Sequence, residues 1–437
     1  MNTTRRSFIK SSAAAVLGFP AFVRAANLNS TLQVAVVGCS GQGLSDLMQI
    51  GSHPKVKFTG FCDVDTARFG GVDAKFPGVA HFQDFREMFS LLGDKFDALQ
   101  VSTPDHMHAF ISLDAMRLGK HVYCQKPLTH TVWEARQMRL QAAKSKVITQ
   151  MGNQIHSDST YRTGVKLLRD GVIGKIKEVH SWQGNHGNGN TRLTALPPSG
   201  PVPESLNWDA WLGVAALRDF APDAYHPFKW RDWQEFGGGT MGDFACHIFD
   251  PVFTALELTA PLTIHAENEG LNSQTWPFAE TISYLFPGTA FTAGKTIPVI
   301  WYDGGRKPDI SLAQMPADKV LPSAGSLFIG EGGVLILPHY AMPQLYPQEK
   351  FEAFNKVAGA NHYHAWVDAV IEGKQTTDSF EYAGPLTEAV QLGNVATRTP
   401  GVTLQWDAAT MRIPNQPEAE RLLTKQYREG WKIAAVE

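Results

Sequence analysis

Leu32-Gln33-Val34-Ala35-Val36-Val37-Gly38-Cys39-Ser40-Gly41-Gln42-Gly43 opens the stretch that decides the fold, and Asp63 closes it. The run from Leu32 to Val37 is short, rich in valine and ended by glycine, as befits a strand buried in a parallel sheet. Leu44 to Ile50 suits a helix, and Lys57 to Cys62 suits a second strand that delivers Asp63 at its carboxyl end. A strand, a glycine turn, a helix and a strand ending in an acid form a dinucleotide-binding unit. The glycines let the backbone approach a pyrophosphate, the helix N-terminus offers free N–H groups, and the acid meets a ribose hydroxyl. Asp63 stands twenty residues beyond Gly43, the spacing this unit uses. The fingerprint G-x-G-x-x-G falls on Gly38, Ser40 and Gly43, so serine replaces the middle glycine, with Gly41 and Gln42 beside it. A glycine turn alone marks only a tight corner. Its βαβ setting and the spaced acid assign Gly38, Ser40, Gly41, Gln42, Gly43 and Asp63 to a nucleotide.

Strand and helix patterns go on alternating after Asp63. Residues 84–92, 107–118 and 131–145 have helical spacing, and 96–101, 121–124 and 147–151 read as strands. This predicts a doubly wound parallel sheet, a Rossmann domain over residues 30–152. A second domain, 153–437, starts with a helix at 158–168 and a strand at 175–182. Residues 184–240 are rich in Gly, Pro, Asn and Trp and have little periodicity, which reads as a functional surface. Strands at 262–267, 280–286, 289–296, 299–302, 327–329 and 334–337 predict an open, mainly antiparallel sheet, with helices at 361–371 and 385–399. The fold class is therefore α/β: a Rossmann domain followed by an α+β domain.

The 437 residues are 43% hydrophobic and carry a formal net charge of −3. That charge argues against a protein held to nucleic acid through its phosphates. Near the start, Thr4-Arg5-Arg6-Ser7-Phe8-Ile9-Lys10 sets twin arginines before an apolar run, Ser11 to Phe22, and Val23-Arg24-Ala25 offers a cleavage site. This reads as a bacterial twin-arginine signal over residues 1–25, too short to span a membrane. A periplasmic or secreted protein, exported already folded and without a membrane anchor, is expected. The four cysteines have no C-x-x-C spacing, and three of them lie at predicted strand ends, as small buried hydrophobes do.

Three clusters carry chemistry. Thr103-Pro104-Asp105-His106-Met107-His108 follows a predicted strand, and so does Tyr123-Cys124-Gln125-Lys126-Pro127. Lys126, at a strand's carboxyl end, projects its amine toward a ligand crevice, where it could bond a substrate hydroxyl and stabilise developing negative charge. In Gly237-Gly238-Gly239-Thr240-Met241-Gly242-Asp243-Phe244-Ala245-Cys246-His247-Ile248-Phe249-Asp250, a helix would put Asp243, His247 and Asp250 on one face. A histidine between carboxylates suits a general base. The triplet also has the ligand types of a metal site, and a satisfied core histidine explains it equally well.

Together these motifs resemble the Gfo/Idh/MocA family of oxidoreductases, which includes glucose–fructose oxidoreductase and inositol dehydrogenase. The glycine turn, Asp63, Thr103-Pro104 through His108, Lys126-Pro127 and the Asp243/His247 helix occur in the family's order. Residues 301–308, 380–388 and 427–431 are similar to an exported subgroup. The resemblance implies catalysis by Lys126, Asp243 and His247. It places Thr103, Pro104, His108 and Lys126 beside the cofactor, NAD with NADP as an alternative, and it implies no metal. Gln125 departs from the family's glutamate, as Ser40 departs from its glycine. The function implied is an NAD(P)-dependent enzyme oxidising a hydroxyl of a small-molecule sugar, glycoside or polyol, and a homo-oligomer is expected. Other readings stay open: a glycosidase, lyase or epimerase that uses bound NAD in a redox-neutral cycle, a metal-dependent version of these, or a non-catalytic sugar-binding protein.

Overall fold

The computed structural model describes residues 31–184 and 196–436, so the expected signal over residues 1–25 lies outside the described residues. The first sheet is built by β1 (Leu32–Val37), α1 (Gln42–Gly51), β2 (Val56–Cys62), α2 (Gly70–Asp73), β3 (Ala80–Phe82), α3 (Phe85–Leu92), β4 (Ala98–Val101), α4 (Asp105–Arg117), β5 (His121–Gln125), α5 (Val132–Ser145) and β6 (Thr149–Gly152). Its six strands run in the order β3-β2-β1-β4-β5-β6, and every pairing is parallel. The order reverses between β1 and β4, the point where such sheets open a ligand crevice beyond the strands' carboxyl ends. β1 is buried along almost its whole length, which explains its unbroken apolar run. α5 starts where the Thr131 and Glu134 side chains each bond the other's backbone N–H.

The second part follows with α6 (Ser159–Arg169), β7 (Ile176–Gln183), α7 (Trp208–Leu212), α8 (Gly239–Leu256), β8 (Thr263–Glu269), β9 (Ala279–Pro287), β10 (Thr296–Tyr302), β11 (Ala324–Gly330), β12 (Val334–Pro338), β13 (Gln344–Tyr346), α9 (His362–Glu372), α10 (Phe380–Thr397), β14 (Thr403–Gln405) and α11 (Pro417–Glu420). Its eight strands run β13-β12-β11-β7-β10-β9-β8-β14, all antiparallel except the β7–β10 pair.

Two segments differ from the sequence expectation. Residues 289–295 form a hairpin loop where the sequence predicts a strand over 289–296, and Thr296 opens β10. The Thr292 hydroxyl accepts from the Thr289 N–H at 2.7 Å, and the Gly288 N–H donates to Lys295 O at 2.8 Å. The threonines that suggested a strand are turn-closing side chains here. α10 begins five residues before Pro385, because Phe380 and Ala383 are already fully buried and fix the first turns.

The two parts interlock. Trp366, Val367, Val370 and Ile371 of α9 share one core with Val34, Leu47 and Ile50 of β1 and α1. From the other side, Thr66 N–H donates to Ser205 O (2.9 Å) and Asn207 N–H to Val64 O (2.8 Å), fastening the aromatic segment to the loop after β2.

Candidate active site

A cavity of about 530 Å³ lies at the switch point of the parallel sheet. Gly38, Ser40, Gly41, Gln42, Gly43, Asp63, Thr103, Pro104 and Lys126 all line it, together with Asp243 from α8. The turn needs its glycines. A Cβ on Gly38 would stand 2.3 Å from Ser102 O, and one on Gly43 would stand 2.2 Å from Gly38 O. Gly41 has φ +55° and open space beside it, and the first turn of α1 carries no side-chain cap. An open, uncapped helix N-terminus beside a Cβ-free turn fits a pyrophosphate. Ser40 belongs to the same turn, and its carbonyl accepts the Gly43 N–H at 3.0 Å.

Asp63 anchors the far end. Its two oxygens accept the N–H groups of Cys39 (2.9 Å) and Asp65 (3.1 Å), which leaves each oxygen a second lone pair. Arg68 donates to Asp65 Oδ2 at 2.9 Å, and His226 bonds the same oxygen at 3.0 Å. Arg68 is thus engaged by a carboxylate rather than free to meet a phosphate.

Gln125 also has a reason. Its Nε2 donates to Asp46 Oδ2 at 2.8 Å, while Gln42, Ser102 and Tyr363 donate to the same carboxylate. Burial pushes Asp46 up to about 6. A glutamate at 125 would set two carboxylates against each other, and glutamine turns that repulsion into a bond.

His108, expected beside the cofactor, is not on the cavity wall. It is 1% exposed, and its two nitrogens meet the carbonyls of Pro127 and Thr103, each at 2.8 Å. Carbonyls only accept, so both nitrogens carry protons. Burial opposes that charge, but Cys124, Asp105 and the Pro127 carbonyl push the histidine up to about 9. His108 ties the two strand-end loops together.

The other end of the cavity is a charged cluster. Lys126 Nζ donates to Asp243 Oδ1 at 2.5 Å and to the Asp243 carbonyl at 3.0 Å. Arg231 reaches the same Oδ1 at 3.2 Å and Asp105 at 3.4 Å. Asp105 Oδ2 in turn accepts the Gly238 N–H at 3.0 Å. Burial would raise Asp243, but Arg231 and Lys126 outweigh it and bring the carboxyl down to about 2.

His247, expected to be catalytic beside Asp243, stands behind the residues that line the cavity and does not bond Asp243. Its Nδ1 meets Asn153 Oδ1, and Asn153 Nδ2 donates to Cys246 O at 3.0 Å. That carbonyl can only accept, so it fixes the amide's orientation. Nδ1 therefore carries the proton, and Nε2 keeps its lone pair. Burial, with Lys126 and His339 nearby, holds His247 well below the usual histidine range, so it is neutral. The His339 ring lies 5.7 Å away.

Asp250, expected on the same face as Asp243 and His247, belongs elsewhere. It bonds His156 at 2.8 Å and lines a different cavity. Among the described residues, no three His, Cys, Asp or Glu side chains are grouped to hold a metal ion.

Sequence reasoning missed Arg231, Asn153 and His339, all brought in by distant segments, and gave Asp105 no role of its own within its cluster. One signal was available. The glycine run before Asp243 demands a close neighbour, and a Cβ on Gly237 would lie 2.6 Å from Arg231 Cα.

Residues 32–153 match the family model GFO_IDH_MocA, an oxidoreductase family with an NAD-binding Rossmann fold. Residues 172–287 match the model of that family's C-terminal alpha/beta domain. A levoglucosan dehydrogenase of Pseudarthrobacter phenanthrenivorans is 24% identical over 35% of this chain and 31% of its own length. A glycosyl hydrolase family 109 protein of Saccharopolyspora erythraea is 29% identical over 34% of each chain. The chain thus spans about a third of the length of these relatives. The WlbA dehydrogenase of Chromobacterium violaceum, solved with NADH and UDP-GlcNAcA, superposes with TM-score 0.63 at 15% identity, over 88% of this chain and 98% of its own.

Proposed function

The chain belongs to the Gfo/Idh/MocA family of oxidoreductases, and on that premise we propose that it is an NAD-dependent enzyme oxidising a hydroxyl of a sugar, glycoside or polyol. The observation that carries this reading is the Lys126 amine, fixed by Asp243 on the wall of the cavity that also holds the Gly38–Gly43 turn. When bound, NAD supplies the hydride acceptor. Lys126 orients the substrate hydroxyl and stabilises negative charge building on its oxygen. Neutral His247 takes the hydroxyl proton at Nε2, with Asn153 holding the ring in that tautomer. Asp243, itself gripped by Arg231, holds Lys126 in place. The substrate carbon loses hydride, its oxygen loses a proton, and a carbonyl results. The test is absorbance at the reduced nicotinamide band with a panel of sugars, glycosides and cyclitols. No hydride transfer with any member, together with no bound nucleotide, would leave the sugar-binding reading instead.

One feature favours a redox-neutral cycle as a second reading. His226, Pro227, Phe228 and Trp230 lie on the same cavity wall as the glycine turn, and His226 is bonded to Asp65. This closes the substrate part over the nucleotide end and supports slow cofactor release. A retained cofactor suits an enzyme exported folded, as residues 1–25 suggest, with hydride returned to the same or a second substrate. Nucleotide that co-purifies and survives dialysis, with turnover independent of added NAD, would favour this cycle. Strict dependence on added NAD would exclude it.

A further inference from the structure

Asp250 shares a helix with Asp243 and His247, yet the crevice does not use it. It faces a second cavity of about 1000 Å³, on the far side of α8 and closed by α6, α9 and the turn before α10. Its carboxylate accepts from His156 Nδ1 at 2.8 Å and from the Tyr382 hydroxyl, which also meets Thr254 Oγ1 at 2.8 Å. Despite burial, Asp250 holds His156 up at about 9, so the two form a neutral ion pair.

Two groups on this wall lack partners. Asp378 Oδ2 and the Tyr161 hydroxyl are buried and make no hydrogen bond. The residues are only 3% and 4% exposed. The nearest basic atom to Asp378, His362 Nδ1, stands at 3.6 Å, beyond hydrogen-bonding distance. Buried polar atoms are ordinarily satisfied, so two orphans on one cavity wall point to something that satisfies them.

The rim says what charge that is. Lys166 pairs with Asp170 (2.8 Å), Arg169 with Glu257 (3.2 Å) and Lys374 with Glu372 (3.0 Å). Asp368 pairs with His53 at 3.1 Å, and Arg162 alone of the lining lysines and arginines stands outside these pairs among the described residues, so the rim holds no cluster of one sign to select an ion. The interior offers apolar and aromatic surface from Phe253, Tyr161 and Tyr382 with hydroxyl and carboxyl groups among them. A molecule with apolar ring faces and a hydroxylated edge matches both. We propose that this cavity is a second binding site, for a neutral polyhydroxylated ring such as a pyranose or cyclitol, with Asp378 and Tyr161 receiving its hydroxyls.

The site is independent of the chemistry assigned to Lys126, and so is its test. Binding of D-glucose and of myo-inositol is measured by calorimetry, up to about 10 mM, on full-length protein saturated with NAD and on its Tyr161→Phe, Asp378→Asn and Lys126→Met variants. Tyr161→Phe removes a hydroxyl that has no partner, so the variant should melt within a degree of the parent. It should weaken one class of binding about five- to tenfold, as loss of one hydrogen bond does. Asp378→Asn should weaken the same class, and Lys126→Met should leave it unchanged. Should Asp378→Asn fail to fold, Tyr161→Phe alone decides. Binding untouched by Tyr161→Phe, binding lost only in Lys126→Met, or no binding of either ring would overturn the proposal.

Discussion

Asp243→Asn separates the two forces acting on the charged cluster. The substitution keeps shape and removes charge. Burial disfavours the carboxylate, whereas Arg231 at 3.2 Å and Lys126 at 2.5 Å favour it. The carboxyl titrates at about 2 against an ordinary 3.8, so the cations win. That gap corresponds to roughly 2 to 3 kcal/mol. The asparagine variant should lose about that much stability at pH 7, since it leaves two cations facing one another. Arg231 keeps Asp105 at 3.4 Å and Lys126 keeps the main-chain carbonyl at 3.0 Å, which limits the loss. The sign with pH follows from the depressed value. The contribution is complete above the unfolded value of 3.8 and disappears as pH falls toward 2, so the difference between the two proteins should be constant from pH 7 to 5. Urea unfolding at both pH values measures it. Turnover should drop about 10²-fold or more, because Lys126 loses its anchor. A variant as stable as the parent at pH 7 would show that desolvation of the carboxylate matches the pairing, and would refute the dominance of the two cations over burial.

Other outcomes are equally specific. NAD should bind more tightly than NADP by calorimetry, because Asp63 repels a 2′-phosphate and Arg68 is engaged by Asp65; the opposite order would refute the assignment. His247→Gln and Asn153→Ala should each cut kcat, the first by about 10²-fold, with nucleotide affinity unchanged; unfolding of His247→Gln would instead mark a structural histidine. Stability should fall between pH 6.5 and 5. Burial holds His106 and His362 at about 3, His121 and His339 at about 4, and His130 and His247 well below the usual range. Each stays neutral when folded and takes a proton when unfolded, costing about 2 kcal/mol over that window. Asp46, Asp303, Asp378 and Glu280, raised by burial, act in the opposite direction, as do Asp63, Asp105 and Asp114 with smaller shifts and His108 and His156, which are protonated in the folded state before the window opens, so the net fall is only part of the histidine contribution. Thermal melts that rise on acidification would contradict this balance.

The sequence exposed whatever is local. The strand, glycine turn, helix and acid from Leu32 to Asp63 obey period and spacing rules that act within about thirty residues, and the structure reproduces them. Lys126 was legible for the same reason, being a lysine at the end of a strand. Asn153 and Arg231 were not legible, and Asp105 stood in a quoted cluster without a role, because their partners sit on elements far away along the chain. The i, i+4, i+7 pattern of Asp243, His247 and Asp250 placed them along one stripe of a helix. It could not show that the stripe passes from one cavity to another. Threonines at 289 and 292 misled for a different reason, since their strand preference yields to hydrogen bonds that close a turn.

The return of α9 to the first sheet has a consequence for synthesis. Domains made early usually fold as they emerge. Here Trp366, fully buried against β1 and α1, is supplied more than three hundred residues after that sheet begins. Until then the first sheet presents an uncovered apolar trench, and its Asp46 lacks the Tyr363 hydroxyl that completes its shell. A chain stopped before residue 362 should therefore be sticky and prone to aggregate. The first third to be translated is among the last parts to be finished, and nascent chains should need shielding over roughly half of their synthesis.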